Sequence, residues 1–313
     1  MITLDDVRRA HERIIAHVHR TPVVTSRTLD ARLGACLFFK CENFQRGGAF
    51  KMRGALNAVS AMRDAQARRG VATHSSGNHG AALALAAGIR GIPCSVVVPR
   101  TTPRIKRAAI EGYGATIVDC EPTLADRVAT LEALVARTGA AVVPPYDDDF
   151  VIAGQGTAAL ELLADVPDLD AVWAPVGGGG LVSGTAVVAR ALAPAMEVVA
   201  AEPANADDAW RSMQSGVIEP SLDPVTIADG LRTSLGERTF AIMQRHGVRV
   251  LTTSEAAILD AMRLLWERTK LVVEPSGAVP LAAMLEQADA VAGKRVGVVL
   301  SGGNVEFPRP SQG

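Results

Sequence analysis

The sequence DAVWAPVGGGGL, residues 170–181, contains the pattern that decides the fold. Its first half is a short, almost uninterrupted apolar run, which is typical of a strand buried on both faces of a sheet. Four consecutive glycines follow, and a segment with helical patterning begins directly after them. Glycine allows backbone N–H groups to close around an anion without interference from Cβ atoms, and the helix N-terminus adds its dipole. The stretch therefore predicts a strand, a phosphate-binding loop and a helix.

The glycine run does not match the common nucleotide-binding signatures. A dinucleotide GxGxxG motif starting at Gly177 would need a glycine where the chain has Val182. No Gly-Lys pair in the chain is followed by Ser or Thr, so the P-loop motif is absent as well. A mobile tight turn is the alternative, but four glycines at a strand end carry an entropic cost that a bound ligand would offset. We therefore favour the phosphate-binding interpretation.

Strand-like and helical segments alternate on both sides of this stretch, around residues 70–145 and again from about residue 170 onwards. This predicts an α/β fold with two open, mainly parallel twisted sheets flanked by helices, with a cleft between them. The turn-rich acidic segment PPYDDDF, residues 144–150, is the candidate crossing point between domains. We expect a large domain at residues 1–69 and 147–313 and a small inserted domain at residues 70–146. The predicted strands are 71–74, 94–99, 115–119, 171–176, 196–203 and 295–303, and the predicted helices are 102–111, 124–138, 180–193, 254–270 and 276–288, after an opening helix capped by Thr3.

Composition excludes several classes of protein. The chain has 313 residues, 48% of them hydrophobic, and its 32 basic and 33 acidic residues give a net charge of −1. This balance leaves no basic surface for nucleic acid or an anionic membrane. The longest apolar stretch is far shorter than the ~20 residues of a membrane helix, the N-terminus is unlike a signal peptide, and the four cysteines form no CxxC pair. We expect a soluble, cytoplasmic enzyme.

Two further segments place polar groups at the start of a predicted helix. In THSSGNHG a strand ends near His74 and a helix opens near Asn78, so that backbone donors of the intervening turn could converge on a carboxylate or a phosphate. N-capping by Ser76 or Asn78 is the alternative, but it accounts for only one of these polar residues. In NFQRGGAFKMRGA, Lys51 stands at a loop-to-helix junction. Burial there would disfavour its charged form and suit Schiff-base chemistry, although most lysines are solvated surface charges.

The motif SGGN, residues 301–304, follows the last predicted strand, where α/β sheets bind ligands. In order and spacing, the four segments together resemble the fold type II pyridoxal 5′-phosphate (PLP) enzymes, which are tryptophan synthase β-like. The resemblance is specifically to the serine/threonine dehydratase and serine racemase family, and it covers nearly the whole chain. It implies that PLP is bound covalently to Lys51 in the interdomain cleft.

The resemblance also implies roles for individual residues around the cofactor and the substrate. The phosphate would be held by Gly177, Gly178, Gly179, Gly180 and Leu181, while Phe50 would lie beside the ring, Asn78 would bond the 3′-oxygen and Ser301 would meet the pyridine nitrogen. The substrate would contact Ser75, Ser76, Gly77, Asn78 and His79.

A divalent cation is a second expectation from the resemblance, with Glu202, the carbonyl of Ala206 and Asp208 as ligands. Hard oxygen ligands completed by water suit Mg²⁺ or Ca²⁺. The alternative is a helix start, with Asn205 as N-cap and acidic residues in the first turn. Arg127 matches a family arginine on the small-domain side of the cleft, where it could bind a substrate carboxylate or simply lie on a helix face.

The reaction that the resemblance implies is β-elimination from a small β-hydroxy amino acid, with L-serine or L-threonine converted to a 2-oxo acid and ammonia. A hydroxyl at Ser76, on the face opposite Lys51, would allow serine racemisation through two bases. Alternatives are a 3-hydroxyaspartate dehydratase, with Arg127 on the second carboxylate, a predominant serine racemase, and a non-catalytic amino-acid-binding protein on the same scaffold. We also expect a homodimer, and no regulatory domain after Asn304 that would respond to isoleucine.

Overall fold

A computed structural model describes residues 1–306 of the chain. Within them, ten strands form two separate sheets. The strands are β1 (Val23–Val24), β2 (Cys36–Cys41), β3 (Val71–Thr73), β4 (Cys94–Pro99), β5 (Thr116–Cys120), β6 (Ala141–Val142), β7 (Ala171–Pro175), β8 (Glu197–Pro203), β9 (Arg249–Thr253) and β10 (Arg295–Leu300).

Thirteen α-helices in the same residues cover the sheets. They are α1 (Leu4–Ile14), α2 (Arg27–Leu33), α3 (Lys51–Ala61), α4 (Asp64–Ala67), α5 (Asn78–Arg90), α6 (Arg104–Gly112), α7 (Leu124–Thr138), α8 (Asp149–Asp165), α9 (Gly180–Leu192), α10 (Asp208–Ser215), α11 (Glu237–Arg245), α12 (Glu255–Thr269) and α13 (Pro275–Glu286). The opening helix begins as predicted, because Thr3 and Asp6 form a capping box.

The larger sheet has six strands in the order β1-β2-β10-β7-β8-β9, and every neighbouring pair is parallel except β1 with β2. Its central strands β7 and β10 are buried on both faces, which explains their continuous apolar sequences. Helices α12 and α13 pack on one face, and α9 on the other. The glycine run and SGGN both follow strands of this sheet, so they lie at the same edge.

The smaller sheet has four parallel strands in the order β5-β4-β3-β6. Helices α3 and α5 contribute to the core on one face, and α7 packs on the other. Two mainly parallel sheets flanked by helices confirm the predicted fold class. The division into domains at residues 70–146 stays a prediction, although all strands of the smaller sheet lie inside that range.

The predicted crossing segment leads from β6 of the smaller sheet into α8. Two of its acidic residues act as helix caps. Asp148 accepts hydrogen bonds from the first turn of α8, and Asp147 accepts them from Arg238 N and Thr239 N at the start of α11. The segment is thereby fixed at the edge of the larger sheet.

Helix α8 was missed by the sequence analysis, yet it lies at the centre of the molecule against α3 and α9. These contacts depend on glycine, since a Cβ at Gly54 would meet the Gln155 side chain at 2.4 Å and one at Gly184 would meet Gly156 N at 2.5 Å. The helix is buried almost all round and so shows no polar stripe.

Within residues 1–306, none of the helices has the length and hydrophobicity that crossing a membrane requires. The four cysteines all lie in this part of the chain and form no disulfide.

Candidate active site

Lys51 is the first residue of α3, as the sequence predicted for a loop-to-helix junction. Its half-buried Nζ donates a hydrogen bond to Pro145 O at 2.8 Å and lies 5.0 Å from the centroid of the Phe50 ring. Burial lowers the pKa of this amine from 10.5 to about 8, although the negative charge of Glu274 opposes the shift. An appreciable fraction of the amine is therefore neutral, and nucleophilic, near physiological pH.

Helix α3 is held in place by a buried charge network two residues after Lys51. Arg53 is fully buried and pairs with Glu42 at 2.7 Å and Glu161 at 2.8 Å. Lys40, also fully buried, pairs with Glu161 at 2.7 Å. Because two cations balance two carboxylates away from water, the network fixes the start of α3 against β2 and α8. Sequence analysis missed this role of Arg53.

The glycine loop connects β7 to α9, with Gly179 in the left-handed region at φ +87°. The N–H groups in the first turn of α9 have no intrahelical acceptor, which leaves them available to an anion. A Cβ at Gly178 would lie 2.2 Å from the Tyr146 ring, so close packing is a second reason for glycine there. The Tyr146 hydroxyl is 3.0 Å from Thr233 Oγ1, and Thr239 Oγ1 donates to Gly178 O at 2.8 Å.

The SSGN turn lies between the end of β3 and the start of α5. Its N-cap residue is Gly77, which has no side chain to cap the helix, so capping by Ser76 or Asn78 is not what the structure shows. The Ser75 carbonyl folds back so closely that a Cβ at Gly80 would lie 2.0 Å from it. Residues 75–78 are half-buried and no side chain caps the start of α5, while ligand binding at this turn stays a prediction.

His79, in the first turn of α5, is buried, with 2% of its surface exposed. Its Nε2 lies 2.9 Å from Val143 O, and its Nδ1 has no partner among residues 1–306. Burial and the charge of Lys51 lower the pKa of His79 to about 3, so the ring is neutral. This geometry favours a packing role over the substrate contact that we expected.

Asn78, at the start of α5, contacts Glu274, the residue just before α13. Sequence analysis missed Glu274. Asn78 Nδ2 donates to both carboxylate oxygens of Glu274, at 2.9 and 3.1 Å. Asn304, from the SGGN motif, donates from its side chain to Asn78 Oδ1 at 2.9 Å. Burial raises the pKa of Glu274 to about 7. The asparagine of the SGGN motif, Asn304, therefore helps to hold the Asn78 side chain in place.

Ser301 is buried at the end of β10 and lies next to the segment that carries Lys51. Its carbonyl accepts a hydrogen bond from Phe50 N at 3.0 Å, and Ala49 forms a β-bridge with Gly302. The structure thus brings Phe50, Lys51, Ser301 and Asn78 to one edge of the larger sheet, close to the glycine loop.

Arg127 lies in the first turn of α7. Its Nη2 makes a long 3.5 Å hydrogen bond to Pro122 O, and its buried Nε has no partner among residues 1–306. Within the same residues, no hydrogen bond connects it to Lys51 or to the SSGN turn. Its charge is therefore free to bind an anion, but its role stays a prediction.

The predicted cation ligands lie at the end of β8 and the start of α10. Glu202 and Asp208 are each 1% exposed, and burial raises their pKa values to about 9 and about 6. Glu202 also accepts hydrogen bonds from Ala209 N and Trp210 N, so part of its role is to cap α10, whose N-cap residue is Asp207 and not Asn205. Residues 1–306 contain no cluster of three acidic, histidine or cysteine side chains suited to a metal.

Comparison with known proteins agrees with this geometry. The family described as "Pyridoxal-phosphate dependent enzyme" matches residues 14–302, and the chain belongs to it. The chain is 52% identical to a beta-hydroxyaspartate dehydratase of Paracoccus denitrificans, over 98% of each sequence. The solved serine racemase of Dictyostelium discoideum is 47% identical with a TM-score of 0.94, over 98% of this chain and 99% of that one. A solved threonine deaminase, from the organism abbreviated T.th., is 46% identical with a TM-score of 0.94, over 98% of this chain and 100% of that one.

These relatives confirm the fold type II PLP enzyme class that the four motifs predicted. The protein is a PLP-dependent enzyme of the class that includes ammonia-lyases and serine racemases.

Proposed function

We propose that the protein dehydrates a small β-hydroxy amino acid to a 2-oxo acid and ammonia, with PLP bound covalently to Lys51. The observation that carries this proposal is the Lys51 amine, whose pKa is lowered to about 8 between the Phe50 ring and the Pro145 carbonyl. When bound, PLP withdraws the electron pair that is left at the substrate Cα after proton removal.

The surrounding residues have distinct tasks in this reaction. The N–H groups of the glycine loop and the start of α9 hold the cofactor phosphate. The N-terminus of α5 and residues 75–77 bind the substrate carboxylate. Lys51, neutral after release from the cofactor, removes the proton from the substrate Cα. Ser301 would supply a neutral partner to the pyridine nitrogen, which weakens electron withdrawal by the ring and favours prompt loss of the β-hydroxyl group. The hydroxyl leaves as water together with the proton taken from Cα, and hydrolysis of the released product gives the 2-oxo acid and ammonia.

Racemisation is a second activity that we assign to the same site, through Ser76. Its side chain is half-buried in the SSGN turn and makes no hydrogen bond to another group within residues 1–306. A free hydroxyl opposite Lys51 can return a proton to Cα on the other face. Serine racemases that are 47% identical over 98% of this chain support this assignment.

For the substrate side chain, we infer that 3-hydroxyaspartate competes with serine and threonine and is the preferred substrate. The support is the 52% identity to a beta-hydroxyaspartate dehydratase, together with the Arg127 guanidinium, whose Nε has no partner among residues 1–306 and which suits a second carboxylate. Replacing Arg127 by Lys would keep the charge but lose the bidentate geometry.

A Mg²⁺ or Ca²⁺ ion fits the site at Glu202, Ala206 O and Asp208. Asp208 Oδ2 is buried without a hydrogen-bond partner among residues 1–306, and a cation would offset the burial that otherwise raises the pKa values of both carboxyl groups. A cation with water ligands would complete the site. Mg²⁺ should raise the melting temperature of the protein but not that of an Asp208→Asn variant, and an equal rise in both would contradict the site.

A cytoplasmic homodimer is the assembly we infer. Leu259 and Trp266 share a face of α12 and are 57% and 56% exposed, and Val272 close by is 55% exposed. Such neighbouring apolar side chains fit an interface with a second copy. Sedimentation of the wild type and of a Trp266→Glu variant would test this.

The main test is an assay of 2-oxo acid release from L-serine, L-threonine and both 3-hydroxyaspartate diastereomers, using PLP-loaded protein. The proposal expects release from at least one of them, and a larger kcat/KM for a hydroxyaspartate diastereomer. An Arg127→Lys variant should lose that preference while keeping turnover of serine. PLP-loaded protein that binds these amino acids without releasing product would instead indicate the non-catalytic binding protein.

A further inference from the structure

The side-chain amide of Asn78 is fixed at both ends. Its nitrogen donates to the Glu274 carboxylate, and its oxygen accepts from the Asn304 side chain. An amide nitrogen carries two hydrogens, and one N–H directed between the two oxygens of the Glu274 carboxylate makes both contacts, so the second N–H remains. Glu274 also acts electrostatically on Lys51, so the carboxylate that holds the nitrogen of Asn78 belongs to the surroundings of the reactive amine.

The direction of this amide is specified by two backbone groups that cannot reverse their polarity. Glu274 Oε2 accepts a hydrogen bond from Asn304 N at 3.2 Å, so an acceptor is required at that position. The Asn304 side chain also donates to Gly47 O at 2.8 Å, which determines which end of its own amide is nitrogen. Asn78 therefore has an acceptor on its Glu274 side and a donor on its Asn304 side, so its nitrogen faces Glu274 and its oxygen faces Asn304.

Two glycines of the sequence motifs make room for the arrangement. A Cβ at Gly302 would lie 2.6 Å from Glu274 Oε1, and a Cβ at Gly48 would lie 2.2 Å from Asn304 Oδ1. The Glu274 backbone is itself anchored, because its N–H donates to Gly302 O at 3.0 Å. The network is therefore built into the RGG and SGGN segments, and Glu274 is 5% exposed within it.

We propose that Glu274 is a positioning residue that orients Asn78 so that an N–H, and not the carbonyl oxygen, faces the 3′-oxygen of the cofactor. A donor at this place keeps the 3′-oxygen in its anionic form, because a hydrogen bond to a charged acceptor stabilises it. The inference rests on the proposed function, since it requires PLP on Lys51.

Glu274→Gln tests this directly. The fixed Asn304 N–H retains the glutamine oxygen as its acceptor, so the glutamine NH₂ group faces Asn78 Nδ2. Asn78 Nδ2 then meets a repelling donor at the 2.9 Å position and keeps only the glutamine oxygen, at the 3.1 Å position, as its acceptor, so the hold on the orientation of the amide is weakened. We expect about tenfold weaker PLP binding, and transfer of intensity from the near-visible absorption band to the near ultraviolet as the 3′-oxygen takes up a proton.

Two further variants make the test specific. Glu286→Gln is the matched control, because that carboxylate accepts hydrogen bonds from Thr253 and Ser254 at the far end of α13 and should leave the spectrum unchanged. Asn304→Ala removes the donor to Asn78 Oδ1 from an exposed position, and it should shift the spectrum in the same direction as Glu274→Gln. It keeps the test open if Glu274→Gln does not fold.

The outcomes separate this inference from the proposed function. A wild-type protein that gains no near-visible absorbance with PLP contradicts the proposed function itself. A wild type that gains it, with Glu274→Gln and Asn304→Ala showing the same spectrum and PLP affinity, overturns the role of Glu274 alone.

Discussion

The lowered pKa of Lys51 has a direct kinetic consequence for the apo protein. Only the neutral amine condenses with an aldehyde, and its pKa is about 8 instead of 10.5. At pH 7 about 10% of Lys51 is then neutral, against about 0.03% of an ordinary lysine, a difference of roughly 300-fold. We expect the rate of PLP incorporation to rise about tenfold per pH unit from pH 6 and to level off above pH 8.

The assay is stopped-flow absorbance after mixing apo protein with PLP between pH 6 and pH 10. Nα-acetyl-lysine is the control, because the ionisation of PLP is the same in both reactions and its amine should not level off below pH 10. A protein profile that keeps rising to pH 10, parallel to the control, would show that Lys51 is a solvated surface charge and refute the reasoning.

Three other predictions concern the framework and the second base. Arg53→Met leaves Glu42 buried without its cationic partner and Glu161 with Lys40 alone, and it should cost about 3–5 kcal/mol of unfolding free energy in urea; a loss below about 1 kcal/mol would contradict the buried network. Gly178→Ala places a methyl group against Tyr146 and should cost about 1–3 kcal/mol and weaken PLP binding, whereas Gly112→Ala, with nothing within 4 Å, should do neither. Ser76→Ala should abolish serine racemisation, followed by chiral chromatography, and spare L-serine dehydration. Equal loss of both activities argues against a second base.

Sequence patterns predicted most of the strands and helices. They also predicted the motifs of the candidate site, because these motifs directly follow strands. All six predicted strands and all six predicted helices are present, and α7 has the predicted bounds. Strands such as β7 are recognisable as apolar runs followed by glycine. The glycine run predicts both the position of the loop and the anion that the loop would bind. The positions of Lys51 and of the SSGN turn at helix starts are confirmed by the fold.

The site residues that sequence analysis did not predict depend on contacts between residues far apart in the chain. Glu274 lies 196 residues from Asn78 along the chain, and before the helix that begins with Pro275 it looks like an ordinary first-turn acid. Tyr146 is one aromatic residue in a turn, and only the packed structure places it on Gly178. The strands β1 and β6 have two residues each, too few for a period to be read.

The most direct measurement is peptide mass spectrometry of the protein after incubation with PLP and reduction with borohydride. A covalent bond between the cofactor and this chain requires the reduced pyridoxyl group on the peptide that contains Lys51, with no other lysine modified in comparable amount. An unmodified Lys51 peptide, or label spread over surface lysines, would contradict the account.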